Sequence, residues 1–223
     1  MGLDIYFYRV KKHELVSDDY NSVYDEINNN SKEETIKKIN KLFAILKKAK
    51  KDANAIGDVS IYHDAYTAFK KSLGKIPYYK QYDYFHMSRF NEKVLTIDEV
   101  EKLLEKDKQW MYKVSDAYFR KVNFIYEFFE EDINHDNELA LVNAEDIQRL
   151  INVCKDTLDA HKKNDAEGMA YAMANLPTRS GFFFGSTEYD DWYWNDVKDC
   201  IKQMKQLHKK LKEGDKVLIS FSW

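Results

Sequence analysis

The chain predicts an α+β fold, predominantly helical, with a small sheet formed by its N- and C-terminal strands. Three observations carry this. Residues near both ends alternate apolar and polar with a period of two, as strands with one buried face do. Most of the chain between them repeats apolar residues at three- and four-residue spacing, the mark of helices with one buried stripe. The composition, 44% hydrophobic and 15% aromatic over 223 residues, suits a chain that can bury a sizeable core.

Each element has its own signal. Leu3, Ile5 and Phe7 alternate with Asp4, Tyr6 and Tyr8, which predicts a strand over Leu3 to Arg9 and places Asp4 on the solvent face with the two tyrosines. Val217, Ile219, Phe221 and Trp223 alternate with Leu218, Ser220 and Ser222 at the far end. Two strands of similar length fit side by side in one sheet, and Glu138 to Val142 reads as a third. Ser31 and Glu34 have capping-box spacing, followed by Ile36, Ile39, Leu42, Phe43, Leu46 and Ala49 on one helical face. Asp58 to Leu73 reads as a second helix, stopped by Gly74. Ile76 to Asn91, crowded with aromatic residues, shows no period and reads as an irregular connection. Thr96 with Glu99 opens a helix to about Lys106.

Trp110, Val114, Ala117, Tyr118, Val122, Ile125, Phe128 and Phe129 then predict one long helix. Asn143 with Asp146 caps the next, with Ile147, Leu150, Ile151, Cys154 and Leu158 inward. A short helix covers about Ala166 to Ala174. Thr187 caps a last long helix that turns Val197, Ile201, Met204, Leu207 and Leu211 inward and ends at Gly214. Residues 1–223 read as a single domain in which residues 10–95 form a helical lobe or insertion.

The bulk numbers narrow the function. A net charge of −3 argues against a dedicated nucleic-acid binder. No apolar run approaches the roughly 20 residues of a membrane span, and the first residues, MGLDIYFYRVKK, lack the apolar core of a signal peptide. Cys154 and Cys200 sit among apolar neighbours, as reduced thiols of a cytosolic protein do. Five of the 35 basic residues are Arg, so each Arg is informative where a planar fork is needed. The six histidines are scattered without zinc-ligand spacing. Asp132, Asn134 and Asp136 open like a calcium loop, but Asn143 stands where that loop needs a bidentate Glu. No nucleophile–base pair is visible, and neither a cofactor nor a metal is expected. An enzyme reading would use Glu188 or Asp190 as general base, with Arg120 holding the substrate.

The most distinctive stretch is LPTRSGFFFGSTEYDDWYW at Leu176 to Trp194. Nineteen residues combine a proline, two glycines, four hydroxyl side chains, an arginine, three acids and seven aromatics. Core packing does not demand that mixture, so it reads as a shaped loop entering a helix, where a ligand or partner would sit. A second constellation, Tyr118, Arg120, Lys121, Asn123 and Glu127, would share one polar helix face if residues 110–129 are helical.

On these residues the chain resembles a family of uncharacterised proteins encoded by bacteria and their phages. The resemblance rests on MGLD-x-Y at 1–6, YFRK-x-N at 118–123, LPT-x-SGFFFGSTEYD-x-WY at 176–193 and S-x-S-W at 220–223. Phe119 stands where the family more often has Trp, and residues 10–95 differ from the family's usual short linker. The resemblance implies one shared site without naming its chemistry. The resulting expectation is a non-catalytic cytosolic protein that binds a small anionic, nucleotide-like ligand. Its site would comprise Tyr118, Arg120, Asn123, Thr178, Arg179, Ser180, Gly181, Phe183, Ser186, Thr187, Glu188 and Tyr189. The alternative is a protein-interaction module, or an inhibitor of a host complex, that uses an exposed aromatic patch around Tyr189–Trp194. Neither nucleic acid nor membrane is an expected partner.

Overall fold

In the computed structural model, residues 2–15, 19–76, 93–108, 111 and 113–223 are described. The chain divides into two compact units, residues 1–25 with 115–223, and residues 26–114.

The first unit is built on a five-stranded antiparallel sheet of order β2-β1-β5-β4-β3. Its strands are β1 (Asp4–Val10), β2 (Ala117–Arg120), β3 (Ile133–Asn134), β4 (Leu139–Val142) and β5 (Lys216–Ser222). The two terminal strands pair along their full length, from Asp4 opposite Ser222 to Val10 opposite Lys216. One face of the sheet, with Ile5, Phe7, Phe119, Ile219 and Phe221, shares a core with helix α5 (Ala144–Lys163) and helix α7 (Asp191–His208). Ile147, Leu150, Ile151 and Cys154 of α5 meet Val197, Cys200, Met204 and Leu207 of α7 there. Each such side chain, fully buried, contributes about 1.5–3 kcal/mol. Both cysteines are free and buried. Helix α6 (Asp165–Asn175) follows α5, its start capped by Asn164, whose carboxamide accepts from the Glu167 N–H.

The second unit has its own core. Ile39, Phe43 and Leu46 of α1 (Tyr20–Ile56) pack with Tyr62, Tyr66, Phe69 and Leu73 of α2 (Ser60–Leu73) and with Val100 and Leu104 of α3 (Ile97–Lys108). The Thr96–Glu99 capping box forms at the start of α3, with the Thr96 N–H donating to Glu99 at 2.8 Å.

Four expectations are corrected. Helix α1 begins at Tyr20 rather than near Ser31, with Asp19 accepting from the Ser22 N–H. Buried Val23 and Ile27 extend its apolar stripe through an Asn-rich stretch whose propensity is only a weak guide. The long helix over 110–129 does not form over its described part. Ala117–Arg120 is a strand, paired Ile5 to Phe119 and Phe7 to Ala117, followed by the short helix α4 (Asn123–Phe128). Lys121 between them has φ of 60°, which breaks any right-handed helix. The cap of α7 is Asp190, not Thr187: its carboxylate accepts from Trp192 and Tyr193 N–H at 3.0 and 3.1 Å. That helix ends at His208, and Gly214, φ 84°, lies in the turn before β5. The expected irregular connection falls outside the described residues except at Ile76.

Strand β2 is a sheet edge, which would offer unpaired backbone groups to another chain. The Gln203 carboxamide covers it, accepting from the Tyr118 N–H and donating to the Tyr118 carbonyl, both at 3.1 Å.

Candidate functional site

Four separated pieces of sequence meet at the start of β1. The Leu3 N–H donates to the Phe183 carbonyl at 2.8 Å, and the Lys121 N–H donates to the Leu3 carbonyl at 2.7 Å. Residues 2–3 thus hold the β2–α4 turn to the loop that follows α6. The Phe184 ring lies 5.3 Å from Trp223 and 5.0 Å from Tyr126, so the last residues join the same assembly. Residues 118–123 and 176–189 do meet in space.

Asn123 is the centre of that contact and is only 3% exposed. Its amide donates to the carbonyls of Phe184 (3.2 Å) and Ser186 (2.8 Å), and its oxygen accepts from the Arg179 N–H at 3.3 Å. Both hydrogen-bonding ends of one side chain therefore hold the loop. Further bonds set its shape. The Thr178 hydroxyl donates to the Thr187 carbonyl at 3.0 Å, and the Thr178 N–H donates to the Tyr189 hydroxyl at 3.3 Å. The Tyr193 hydroxyl donates to the Leu176 carbonyl at 2.8 Å, and burial pushes that phenol well above its usual range. The Ser186 hydroxyl accepts from the Glu188 N–H. Arg179 is also engaged: it meets Glu127 at 2.9 Å and Glu130 at 2.7 Å, with its guanidinium 5.0 Å from the centre of the Tyr126 ring. The Glu130 contact is an ion pair by distance without the alignment of a hydrogen bond.

Glycine is required at one point of this assembly. Gly185 has φ of 95°, and a Cβ there would lie 3.1 Å from the Lys121 Cβ. Lys121 is itself left-handed, so two unusual backbone conformations face each other. A non-glycine residue in that region costs roughly 1–2 kcal/mol.

Beside this assembly lies a cleft of about 330 Å³ lined by Arg120, Lys121, Asn123, Thr178, Ser186, Glu188, Asp190, Trp192 and Asp196, among others. Arg120 pairs with Asp4 at 3.1 Å, and the Tyr118 hydroxyl donates to the same carboxylate. Lys121 is exposed and forms no ion pair among the described residues. Trp192 is 77% exposed, whereas Tyr193 and Trp194 beside it are buried.

The structure thus sorts the twelve expected site residues. Arg120, Asn123, Thr178, Ser186 and Glu188 line the cleft. Tyr118, Arg179, Ser180, Gly181, Phe183, Thr187 and Tyr189 are not among its lining residues. Tyr118, 40% exposed, lies on the sheet face opposite Ile5 and Phe7, 5.1 Å from the Tyr6 ring, and Arg120 is on a strand rather than on a helix face with Asn123. Lys121, Asp190, Trp192 and Asp196, with Val122, Phe124, Gly185 and Tyr193, complete the lining. Of these, Trp192 and Asp196 had a legible signal, since positions i and i+4 share a helix face. The aromatic patch expected around 189–194 turns mostly inward, leaving Trp192 outward there and Phe182, 96% exposed, on the loop.

Two other depressions contain different chemistry. One of about 540 Å³ is acidic, with Glu127, Glu130, Glu131, Asp132 and Asp146 against Arg149. A larger one, about 760 Å³, follows α1 from Asn30 to Ala44 and holds none of the motif residues. Among the described residues no three His, Cys, Asp or Glu side chains converge as a metal set would, and no helix is long and apolar enough to cross a membrane. Compared with known proteins, the chain matches no family model, no curated protein and no solved structure.

Proposed function

We propose that the chain is a non-catalytic cytosolic binding protein for a small anionic ligand of nucleotide-like build, held in the cleft beside Asn123. The observation that carries this reading is an exposed indole, Trp192, in one cleft with Lys121, a cation without an ion pair among the described residues; Arg120 beside it is already paired with Asp4. Lys121 has no carboxylate partner among the described residues, so its charge is available to an anion. An exposed indole offers a flat face on which a planar ring can stack. The resemblance to a family of bacterial and phage proteins is consistent with this reading, since two of its motifs, at 118–123 and 176–193, supply most of the cleft lining.

The test is a thermal-shift screen of wild type and Arg120→Ala against nucleotides, cyclic nucleotides and sugar phosphates. A ligand at a hundredfold excess over Kd stabilises the fold by about 2.7 kcal/mol. The expected result is a shift with at least one phosphate-bearing compound, diminished in the variant. Absence of any shift would sink the reading. The two exposed aromatics, Phe182 and Trp192, would then favour a protein partner, checked by comparing capture on wild type and Phe182→Ser.

A further inference from the structure

Asp196 lies one helical turn beyond Trp192 on α7, and both line the cleft. Its carboxylate is half-buried and makes no hydrogen bond or ion pair among the described residues. The neighbouring acids differ. Asp190 caps the helix, accepting from Trp192 and Tyr193. Asp199 accepts from the Gln203 amide at 2.7 Å. Glu188 is exposed to solvent. With no protein donor, the Asp196 carboxylate keeps its acceptor oxygens open to whatever occupies the cleft, and partly buried acids in clefts are candidates for ligand contact. Burial, together with the charges of Asp199 and Asp190, pushes the Asp196 carboxyl up to about 6. Above that pH it is ionised and can only accept hydrogen bonds.

The cleft therefore asks three things of its ligand: an anionic group for Lys121, a flat ring for Trp192, and hydrogen-bond donors for Asp196. Among the common nucleobases, guanine best meets the third. Its ring N–H and its exocyclic amino group are adjacent and point the same way, matching the two oxygens of one carboxylate. Adenine and cytosine place a ring-nitrogen lone pair beside their amino group, and uracil flanks its N–H with two carbonyls. Each of those would set an acceptor against an acceptor. The volume, about 330 Å³, is at the low end of small-molecule sites, which span roughly 300–1,000 Å³, and suits a mononucleotide. Resting on the reading of this cleft as a nucleotide site, we propose that Asp196 selects the base and that the base is guanine.

Isothermal titration at pH 7.5 tests this with the 5′-monophosphates of guanosine, inosine, adenosine and xanthosine, and with inorganic phosphate. Wild type binds the guanosine compound most tightly. Inosine monophosphate, lacking the amino group, is weaker by about tenfold, as loss of one charge-assisted hydrogen bond implies. Asp196→Asn lowers guanosine affinity and raises that for xanthosine, because the new amide donates to the carbonyl that replaces the amino group. Equal affinity for all four nucleotides, a preference for adenosine, or an unchanged order in Asp196→Asn would overturn the base assignment while leaving the anion site standing. No binding by any of the five compounds would remove both. The wild-type series decides on its own, so nothing depends on how the variant folds.

Discussion

The loop at 176–187 and the cleft wall beside it have similar compositions and opposite conditions. In the loop, Asn123 ties down two carbonyls and an N–H, Thr178 reaches Thr187, and Arg179 lies between two glutamates. Its polar groups are answered from within the protein. On the cleft wall, Lys121 has no ion pair and Asp196 no donor among the described residues, and Trp192 faces solvent. The contrast teaches that unusual composition marks a loop that is expensive to order, whereas unanswered polar groups mark where something else can bind. Arginine 179 looks like a ligand clamp by residue type, yet its geometry makes it a brace.

Substitutions at the answered groups should therefore cost mainly stability, and those at the unanswered groups mainly binding. The largest effect is expected at Asn123→Ala, which orphans the buried Phe184 carbonyl together with the part-buried Ser186 carbonyl and Arg179 N–H. At about 1–3 kcal/mol for each unsatisfied group, the loss is at least about 3 kcal/mol. Thermal denaturation should show a fall of roughly 6 °C or more, at about 2–4 °C per kcal/mol for a chain of this size.

Gly185→Ala comes next, at about 1–3 kcal/mol, because the new Cβ meets Lys121 and the backbone is left-handed. A melting temperature within error of wild type would show that the loop is looser than the geometry implies. Lys121→Asn should behave in the opposite way. Asn tolerates the left-handed conformation better than Lys, so stability holds or rises by up to about 1 kcal/mol while affinity for a phosphate-bearing ligand falls about tenfold. A variant that loses stability and keeps affinity would reverse the roles assigned to the two sides.

The smallest effect depends on pH. The folded-state carboxyl of Asp196 is raised to about 6 from 3.8, so ionisation penalises the folded protein more than the unfolded chain. Stability present below about pH 4 is partly lost as pH rises through 6, and stays lost above it. Asp196→Asn removes that loss. Its melting temperature should exceed that of wild type at pH 7.5 and match it at pH 4. Equal curves at both values would mean that the carboxylate is well solvated.

Much of the fold was legible because local and tertiary demands agree there. The alternation in β1 and β5, the boxes at Thr96 and Asn143, and the buried stripe of α5 each follow from one period or one cap. The strand at 117–120 was not legible. Its aromatic run satisfies both a helical and a strand pattern, and pairing with β1, together with the conformation of Lys121, decides between them. Thr187 and Asp190 are both good caps, and only the hydrogen bonds that close the loop distinguish them. The expected site was placed in the right neighbourhood, but seven of its residues lie off the cleft lining. The spacing that puts Asp196 on one helix face with Trp192 was legible, but its lack of a protein donor is a property of the folded neighbourhood and leaves no trace in residue type.

The most direct measurement is a nuclear magnetic resonance titration with guanosine monophosphate that follows the indole N–H signals, with Trp192→Phe used to assign one of them. The expected result is a saturable shift of the Trp192 signal, while Trp194, buried and stacked 3.8 Å from His161, stays in place. Movement of the Trp223 signal alone, or no movement at any indole, would contradict a cleft that binds through the groups left unanswered beside Asn123.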